Sequence, residues 1–121
     1  LSSLGFAATH KLPILFVCED NNLAILTKKD VRRKWEAVEV AEAFGIQSLD
    51  VDDDPIDLIS VLSDIKLPFF LNINTERHRY HVGVGKDNEP IKDRLRELSN
   101  IFSDSFFIGK EIREHIYRLW H

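Results

Sequence analysis

The chain has 121 residues, of which 44% are hydrophobic and 30% charged, a composition ordinary for a soluble globular protein with one core. Its formal net charge of -4 argues against a general affinity for nucleic acid, and no apolar run is long enough to cross a bilayer. Cys18 is the only cysteine, which excludes an internal disulfide and a zinc site built on thiolates. This cysteine usage fits a reducing, cytoplasmic setting, and no signal peptide is visible.

The first predicted elements are a helix and an apolar strand. Residues 4–10 have the character of the end of a helix. Residues 13–18 are apolar at every position, which is typical of a strand covered on both faces and predicts a central strand of a parallel sheet. We expect Cys18, at the end of this run, to be a small buried hydrophobic side chain. Polar residues 19–22, Glu-Asp-Asn-Asn, close the strand.

A helix is predicted over residues 30–44, because apolar side chains recur there at helical spacing. Asp30 can cap its start and Gly45 fits its stop. A basic stretch adjoins the helix start, and we interpret it as a solvated face rather than a binding patch. Its members are Lys28, Lys29, Arg32, Arg33 and Lys34.

Two strands and a helix come next. Residues 48–52 are predicted to be the second strand, and residues 68–73, rich in Phe, Leu and Ile, the third. Between them, Asp54 and Pro55 open a helix, with the proline at the first helical position and an apolar stripe behind it.

A long polar segment over residues 74–88 follows the third strand. It is too long for a simple connector, and loops of this kind often carry function. Two amphipathic helices are predicted after it, one beginning at Pro90 and the other over residues 109–120.

Strands that alternate with helices predict an α/β fold, with a mostly parallel sheet flanked by helices and right-handed crossovers. In such sheets, ligands bind beyond the carboxyl ends of the strands. Two polar groups lie at these ends, residues 19–22 after the first strand and the loop after the third. Their convergence predicts a ligand site.

Residues 19–22 have a chemistry that suits magnesium. An asparagine side-chain oxygen and a backbone carbonyl two residues later can both face one hard cation, and Mg²⁺ prefers oxygen ligands that it shares with phosphates. The alternative is that Asp-Asn-Asn is a turn after a strand. Composition alone favours the turn.

The segment over residues 4–25 resembles the diphosphate-binding segment of alpha-type subunits of thiamine diphosphate-dependent 2-oxoacid dehydrogenases. In that family, a helix ending in Ala-Ala and a Lys-Leu-Pro sequence lead to an apolar strand and a Cys/Val-Glu-Asn/Asp-Asn signature, and residues 7–21 follow this order and end in Cys-Glu-Asp-Asn. The resemblance implies a partial three-layer thiamine diphosphate-binding fold. It makes residues 1–121 the C-terminal part of that domain, with the family's Gly-Asp-Gly half expected before Leu1.

The resemblance carries the family's metal-binding asparagine onto Asn21 and its carbonyl ligand onto Leu23. A one-residue shift of the match would exchange the roles of Asn21 and Asn22. Ala24 and Ile25 match the family's Ala-Ile pair, which implies that they lie next to the cofactor.

Residues 79–87 resemble the family's loop with the active-site histidine, often Glu-His-Val-Gly-Pro-Gly. Tyr80 stands in place of the glutamate and Val84 in place of the proline. The resemblance implies that His81 contacts the diphosphate and borders the reaction centre as a catalytic residue. An imidazole can donate to phosphate oxygen and is easily tuned near neutral pH. The alternative is an exposed loop histidine.

The resemblance implies thiamine diphosphate and Mg²⁺ as cofactors and a small 2-oxoacid as substrate, with the cofactor supplying the chemistry and the protein its orientation. It also implies a partner, a beta-type subunit or a pyrimidine-binding domain, that brings the activating glutamate. The chain alone is expected to be inactive. No nucleic acid or membrane partner is expected.

Two alternative functions, from other classes of protein, remain open for this sequence. Residues 14–20 end in an acidic pair and residues 64–68 form an Asp-x-x-x-Pro sequence, as in a receiver domain that accepts a phosphoryl group on a magnesium-bound carboxylate. Against this, Asp64 ends a helical pattern and Pro68 opens a strand. The other reading is a non-catalytic interaction module.

Overall fold

The computed structural model describes residues 1–77 and 92–120, which belong to two compact units, Leu1–Glu89 and Pro90–His121. The first unit contains, in chain order, α1 (Ser2–His10), β1 (Leu15–Asp20), β2 (Leu23–Ala24), β3 (Thr27–Lys28), α2 (Lys29–Arg32), α3 (Ala37–Ala43), β4 (Gln47–Asp52), α4 (Pro55–Leu62) and β5 (Phe69–Asn74). The second unit contains α5 (Arg94–Ile101) and α6 (Ser105–Trp120). No helix within the described residues is both long and apolar enough to span a membrane. That residues 1–121 belong to one cofactor-binding domain stays a prediction.

The first unit is built on a parallel sheet with the strand order β1-β5-β4. The register pairs Leu15 of β1 and Gln47 of β4 with Phe69 of β5, and the pairing continues to the ends of all three strands. Helices connect and flank these strands, so the predicted α/β fold with a parallel sheet is confirmed. The short antiparallel hairpin of β2 and β3 was not predicted, because two-residue strands leave no alternating pattern in a sequence.

The prediction that residues 13–18 form the central strand is wrong for the described part of the chain. There, β1 lies at an edge of the sheet and β5 at its centre. Accordingly, the first four residues of β5 are buried, whereas Val17 of β1 is 54% exposed. Residues 13–18 are apolar throughout, whereas residues 68–73 include Asn72, so apolar character alone does not decide which strand takes the centre.

The helix predicted over residues 30–44 is two helices, α2 and α3, with an extended break between them. Arg33 ends α2 in the extended conformation, and Glu36 begins α3 by a capping box with Glu39. Asp30 is not the cap, since Lys28 holds that position and Asp30 lies within the first turn. Gly45 does stop the helix, with a φ of 79° that favours glycine.

Helix α4 begins as predicted. Pro55 occupies its first turn, and the Asp54 carboxylate accepts hydrogen bonds from the backbone N–H groups of Ile56 at 2.9 Å and Asp57 at 3.4 Å. These bonds satisfy two donors that have no partner inside the helix.

The core of the first unit lies between the sheet and the helices α1 and α3. Its buried members are Ala41, Ile46 and Phe70. Partly buried side chains packed against them are Leu4, Ala8, Phe16, Cys18, Ala37 and Val38. The packing fixes β1 against the helices and so determines where the polar residues after β1 emerge.

In the second unit, the Asp93 carboxylate caps α5 by accepting from the backbone N–H of Arg96 at 3.1 Å. The predicted start of this helix at Pro90 lies outside the described residues. Helix α6 begins at Ser105, four residues before the predicted Gly109, and extends to Trp120.

Candidate cofactor and metal site

The turn after β1 is held by two side chains. The Asp20 carboxylate accepts a hydrogen bond from the backbone N–H of Asn22 at 2.8 Å, and the Asn21 side-chain oxygen accepts one from the backbone N–H of Leu23 at 3.1 Å. Such bonds two residues ahead are the usual means by which Asp and Asn shape turns. Asn22 takes the left-handed conformation with a φ of 58°, which asparagine tolerates well. The turn that was predicted as the alternative is therefore present, and it contains Asn21 and Leu23, the two residues predicted as metal ligands.

The backbone carbonyl of Leu23 is directed away from the hairpin. Asn22 and Lys29 form a hydrogen-bonded pair, with the Lys29 N–H donating to the Asn22 carbonyl at 3.0 Å. Hydrogen-bonded and non-bonded pairs alternate along an antiparallel ladder, so the next pair, Leu23 and Lys28, is of the non-bonded kind. The Leu23 carbonyl thus points outward from the strand pair.

An ion-pair cluster surrounds Asp20, whose side chain is only 10% exposed. One of its carboxylate oxygens accepts from Lys29 Nζ at 3.0 Å and from Arg33 Nη2 at 2.8 Å. Glu36 contacts the same two cations, with distances of 3.0 Å to Lys29 Nζ and 3.7 Å to Arg33 Nη2. The cluster joins β1 to α2 and to the start of α3.

The charges in this cluster shift two pKa values in opposite directions. Burial alone would raise the pKa of Asp20, but the Asn22 hydrogen bond and the Lys29 and Arg33 cations together lower it below its usual value. The hydrogen bond to Glu36, followed by the contacts with Asp20, raises the pKa of Lys29 against the effect of burial. Both groups are therefore charged at neutral pH.

Cys18 lies on the same face of β1 as Asp20 and is half-buried. Burial, followed by the negative charge of Asp20, raises the pKa of its thiol above the usual value. It packs against the core, in agreement with the prediction of a small hydrophobic side chain, although it is not fully covered.

The Arg33 guanidinium also stacks on an aromatic ring. Its central carbon lies 4.6 Å from the centre of the Trp35 ring, within the range of a cation–π contact. Arg33 is thus held by an acid on one side and an indole on the other. Its Nε is buried and has no hydrogen-bond partner within the described residues.

A pocket of about 340 Å³ opens between the turn after β1 and the region of α2. We call it the Asn21 pocket. Its lining residues are Cys18, Glu19, Asp20, Asn21, Leu23, Ala24, Lys29, Arg32, Arg33 and Trp35. Three of the predicted site residues, Asn21, Leu23 and Ala24, therefore share one pocket.

The other two predicted site residues are not part of this lining. Ile25 is at the tip of the hairpin, 58% exposed and with a φ of 59°, a strained conformation for a β-branched residue. Its carbonyl accepts a hydrogen bond from Arg77 Nη1 at 2.6 Å, which ties the hairpin to the segment after β5. His81 lies outside the described residues.

The sequence did not reveal the cationic wall of the pocket. Lys29 and Arg33 were interpreted as part of a solvated face, and that interpretation is wrong for these two residues, because both turn inward to Asp20. It holds for Lys28 and Lys34, which are exposed and do not line the pocket. The basic character of Lys29 and Arg33 was visible in the sequence. Their acidic partner, Asp20, was not, because it lies 9 residues from Lys29 and 13 residues from Arg33.

The register of the sheet bears on the receiver reading. Asn74 pairs with Asp20 at the carboxyl ends of β5 and β1, whereas Asp64 precedes the amino end of β5. The acidic residues of the two motifs thus lie at opposite ends of the sheet. A receiver needs them together at one end, so this geometry does not support that reading.

The sequence was compared with known proteins. Residues 1–67 match the dehydrogenase E1 component family, more than half of the chain. The alpha subunit of 2-oxoisovalerate dehydrogenase from Bacillus subtilis (strain 168) is 30% identical over 110 residues. This alignment covers 88% of the present chain and 30% of that protein, so the chain spans less than a third of its relative's length. No solved structure matches. The matched residues include the whole turn after β1 and the hairpin. This chain belongs to the dehydrogenase E1 component family.

Proposed function

We propose that this chain carries the magnesium- and diphosphate-binding part of a thiamine diphosphate-dependent oxidoreductase of the 2-oxoacid dehydrogenase type. The observation that carries the proposal is the turn after β1, where Asn21 and Leu23, two residues apart in the chain, line one pocket. Family membership supports the choice of cofactor, and the relative's name supports a 2-oxoacid as the substrate class.

The two oxygens fit a magnesium ion bound to diphosphate. The Asn21 oxygen uses one lone pair for the Leu23 N–H and retains a second, since an amide oxygen has two acceptor sites. The Leu23 carbonyl is directed away from the hairpin. Both ligands are neutral, which suits a cation whose charge the phosphates already balance. Within residues 1–77 and 92–120, no cluster of His, Cys, Asp and Glu side chains offers an alternative metal site.

The remaining predicted residues complete the proposal. Ala24 and Ile25 border the cofactor from the hairpin, and His81 donates to the diphosphate. When bound, thiamine diphosphate supplies the carbon nucleophile for 2-oxoacid chemistry, and the residues of this chain hold and orient it. The activating glutamate comes from a beta-type subunit or a pyrimidine-binding domain, so the chain alone is inactive.

Replacement of Asn21 tests the metal assignment. Asn21→Ala removes a magnesium ligand and should weaken Mg²⁺-dependent binding of thiamine diphosphate by about tenfold or more, whereas Asn21→Asp keeps both an oxygen ligand and the turn. Calorimetric titration with the cofactor at fixed Mg²⁺ measures the effect.

The matched control is Asn22→Gly, which suits the positive φ at this position and leaves Asn21 in place. Its cofactor affinity should stay close to that of the wild type. Equal, small effects of Asn21→Ala and Asn22→Gly would remove Asn21 from the site. Circular dichroism shows whether each variant retains its fold, because Asn21→Ala also loses the bond to the Leu23 N–H.

A further inference from the structure

Resting on the proposed function of the Asn21 pocket, we propose that Arg32 binds an oxyanion of the ligand held there, a phosphate or carboxylate group. Arg32 lines the pocket together with Asn21 and Leu23, at the end of α2. It forms no ion pair or hydrogen bond with any described residue and is exposed to solvent. Its guanidinium is therefore a charged donor group available to a ligand of the pocket.

The neighbouring charges neutralise one another and leave Arg32 as the excess cation. Lys29 and Arg33 are balanced by Asp20 and Glu36, which contact both of them. Among the residues that line the pocket, Glu19 and Asp20 carry two negative charges, whereas Lys29, Arg32 and Arg33 carry three positive charges. The lining as a whole is thus positive by one charge.

A second donor in the same wall lacks an acceptor. Arg33 lines the pocket with a side chain 20% exposed, and its Nε is buried without a partner within the described part of the chain. Buried donors are normally paired, because an unmade hydrogen bond costs free energy. An oxyanion is a suitable ligand for a wall with donors to spare, because guanidinium groups match phosphate and carboxylate in geometry.

The wall is held rigid before a ligand arrives. Arg33 is fixed by its 2.8 Å contact with Asp20 and by its stacking on Trp35, and Lys29 is fixed between Asp20 and Glu36. The Lys29 and Arg33 side chains therefore have little conformational entropy left to lose when an anion binds beside them. Trp35 lies beside the pocket, so its fluorescence should respond to occupancy.

The experiment uses the protein with Trp120→Phe, so that Trp35 is the remaining tryptophan. Trp35 fluorescence is titrated with inorganic pyrophosphate and, separately, with pyruvate, each in Mg²⁺ and in EDTA. Arg32→Gln should weaken the binding of at least one of these anions by about tenfold, in EDTA as well as in Mg²⁺. The control Lys28→Gln removes an equal charge from an exposed neighbour outside the pocket and should change affinity less than twofold.

The two titrations identify the source of the anion. Loss confined to pyrophosphate assigns Arg32 to the diphosphate, and loss confined to pyruvate assigns it to a substrate carboxylate. The proposal is overturned if the Arg32→Gln variant binds both anions with wild-type affinity. It is also overturned if the wild-type protein binds neither anion. An effect of Arg32→Gln in EDTA together with no effect of Asn21→Ala in Mg²⁺ would contradict the metal assignment and leave the role of Arg32 standing.

Discussion

At the scale of single residues, Asp20 and Asn21 stand side by side but have separate roles. Both carboxylate oxygens of Asp20 accept hydrogen bonds from the protein itself. One accepts from the Asn22 N–H, and the other from Lys29 and Arg33. Asn21 gives its oxygen to a single N–H and borders the pocket. The acid therefore organises the site, and the amide is the one suited to a ligand.

His81 is the residue whose assignment depends on resemblance alone. If it donates to the diphosphate, His81→Ala should weaken cofactor binding and lower turnover by about 10²-fold, the smaller end of the range for a general acid–base group. Steady-state kinetics in the presence of the partner subunit, together with cofactor titration, measure both quantities.

The control for this prediction is His78→Ala, three residues earlier in the same polar segment. It should leave cofactor affinity and turnover unchanged. Wild-type values for both quantities in His81→Ala would exclude His81 from the site.

The sequence predicted some of these residues and missed others for a physical reason. Asn21 and Leu23 belong to one short motif, in which the ligand atoms are two residues apart and the turn fixes them locally. Arg33 and Trp35 enter the site through a contact with Asp20 that spans 13 residues. No local pattern encodes such a contact, because it depends on how α2 folds back on β1.

At the scale of elements, the ion-pair cluster around Asp20 explains why the predicted long helix is broken. A continuous helix would carry Arg33 and Glu36 along its surface, whereas the extended break lets both contact the cluster. Glu36 then begins α3 through its capping box with Glu39. The break thus places the cationic wall against the carboxyl end of β1.

Asp20→Asn should destabilise the first unit by about 1–3 kcal/mol, because it removes charged hydrogen bonds from Lys29 and Arg33 while keeping the shape of the side chain. Urea or thermal unfolding in the absence of metal measures the change.

The matched control is Asp30→Asn. Asp30 is exposed, and no side-chain contact of its carboxylate is seen within the described residues. This substitution should change the free energy of unfolding by no more than about 0.5 kcal/mol. Equal effects of the two substitutions would show that the cluster does not stabilise the break.

The strands and the helix at Pro55 were predictable because their signals are local: apolar runs for β1 and β5, and an Asp-Pro start for α4. The position of a strand within the sheet was not predictable in the same way. It depends on pairing between β1, β4 and β5 across more than 20 residues, and the more apolar run, residues 13–18, is the one that lies at the edge.

At the scale of the whole molecule, the family match and the Asn21 pocket fall on the same part of the chain. The family match covers residues 1–67, and the Asn21 pocket is lined entirely by residues within that range. The relative is more than three times as long as the aligned segment, so the partner groups that the proposed chemistry requires can be sought in the remainder of such proteins or in a second subunit. The cytoplasmic setting stays a prediction.

Calorimetric titration of the protein with thiamine diphosphate, with and without Mg²⁺, tests the central claim most directly. The account predicts saturable binding that depends on both the metal and the diphosphate: EDTA should weaken it by about tenfold or more, and thiamine without phosphates should not bind. Binding of thiamine as tightly as thiamine diphosphate, or no binding of thiamine diphosphate in Mg²⁺ with the partner subunit present, would contradict the assignment of the turn after β1 as a magnesium–diphosphate site.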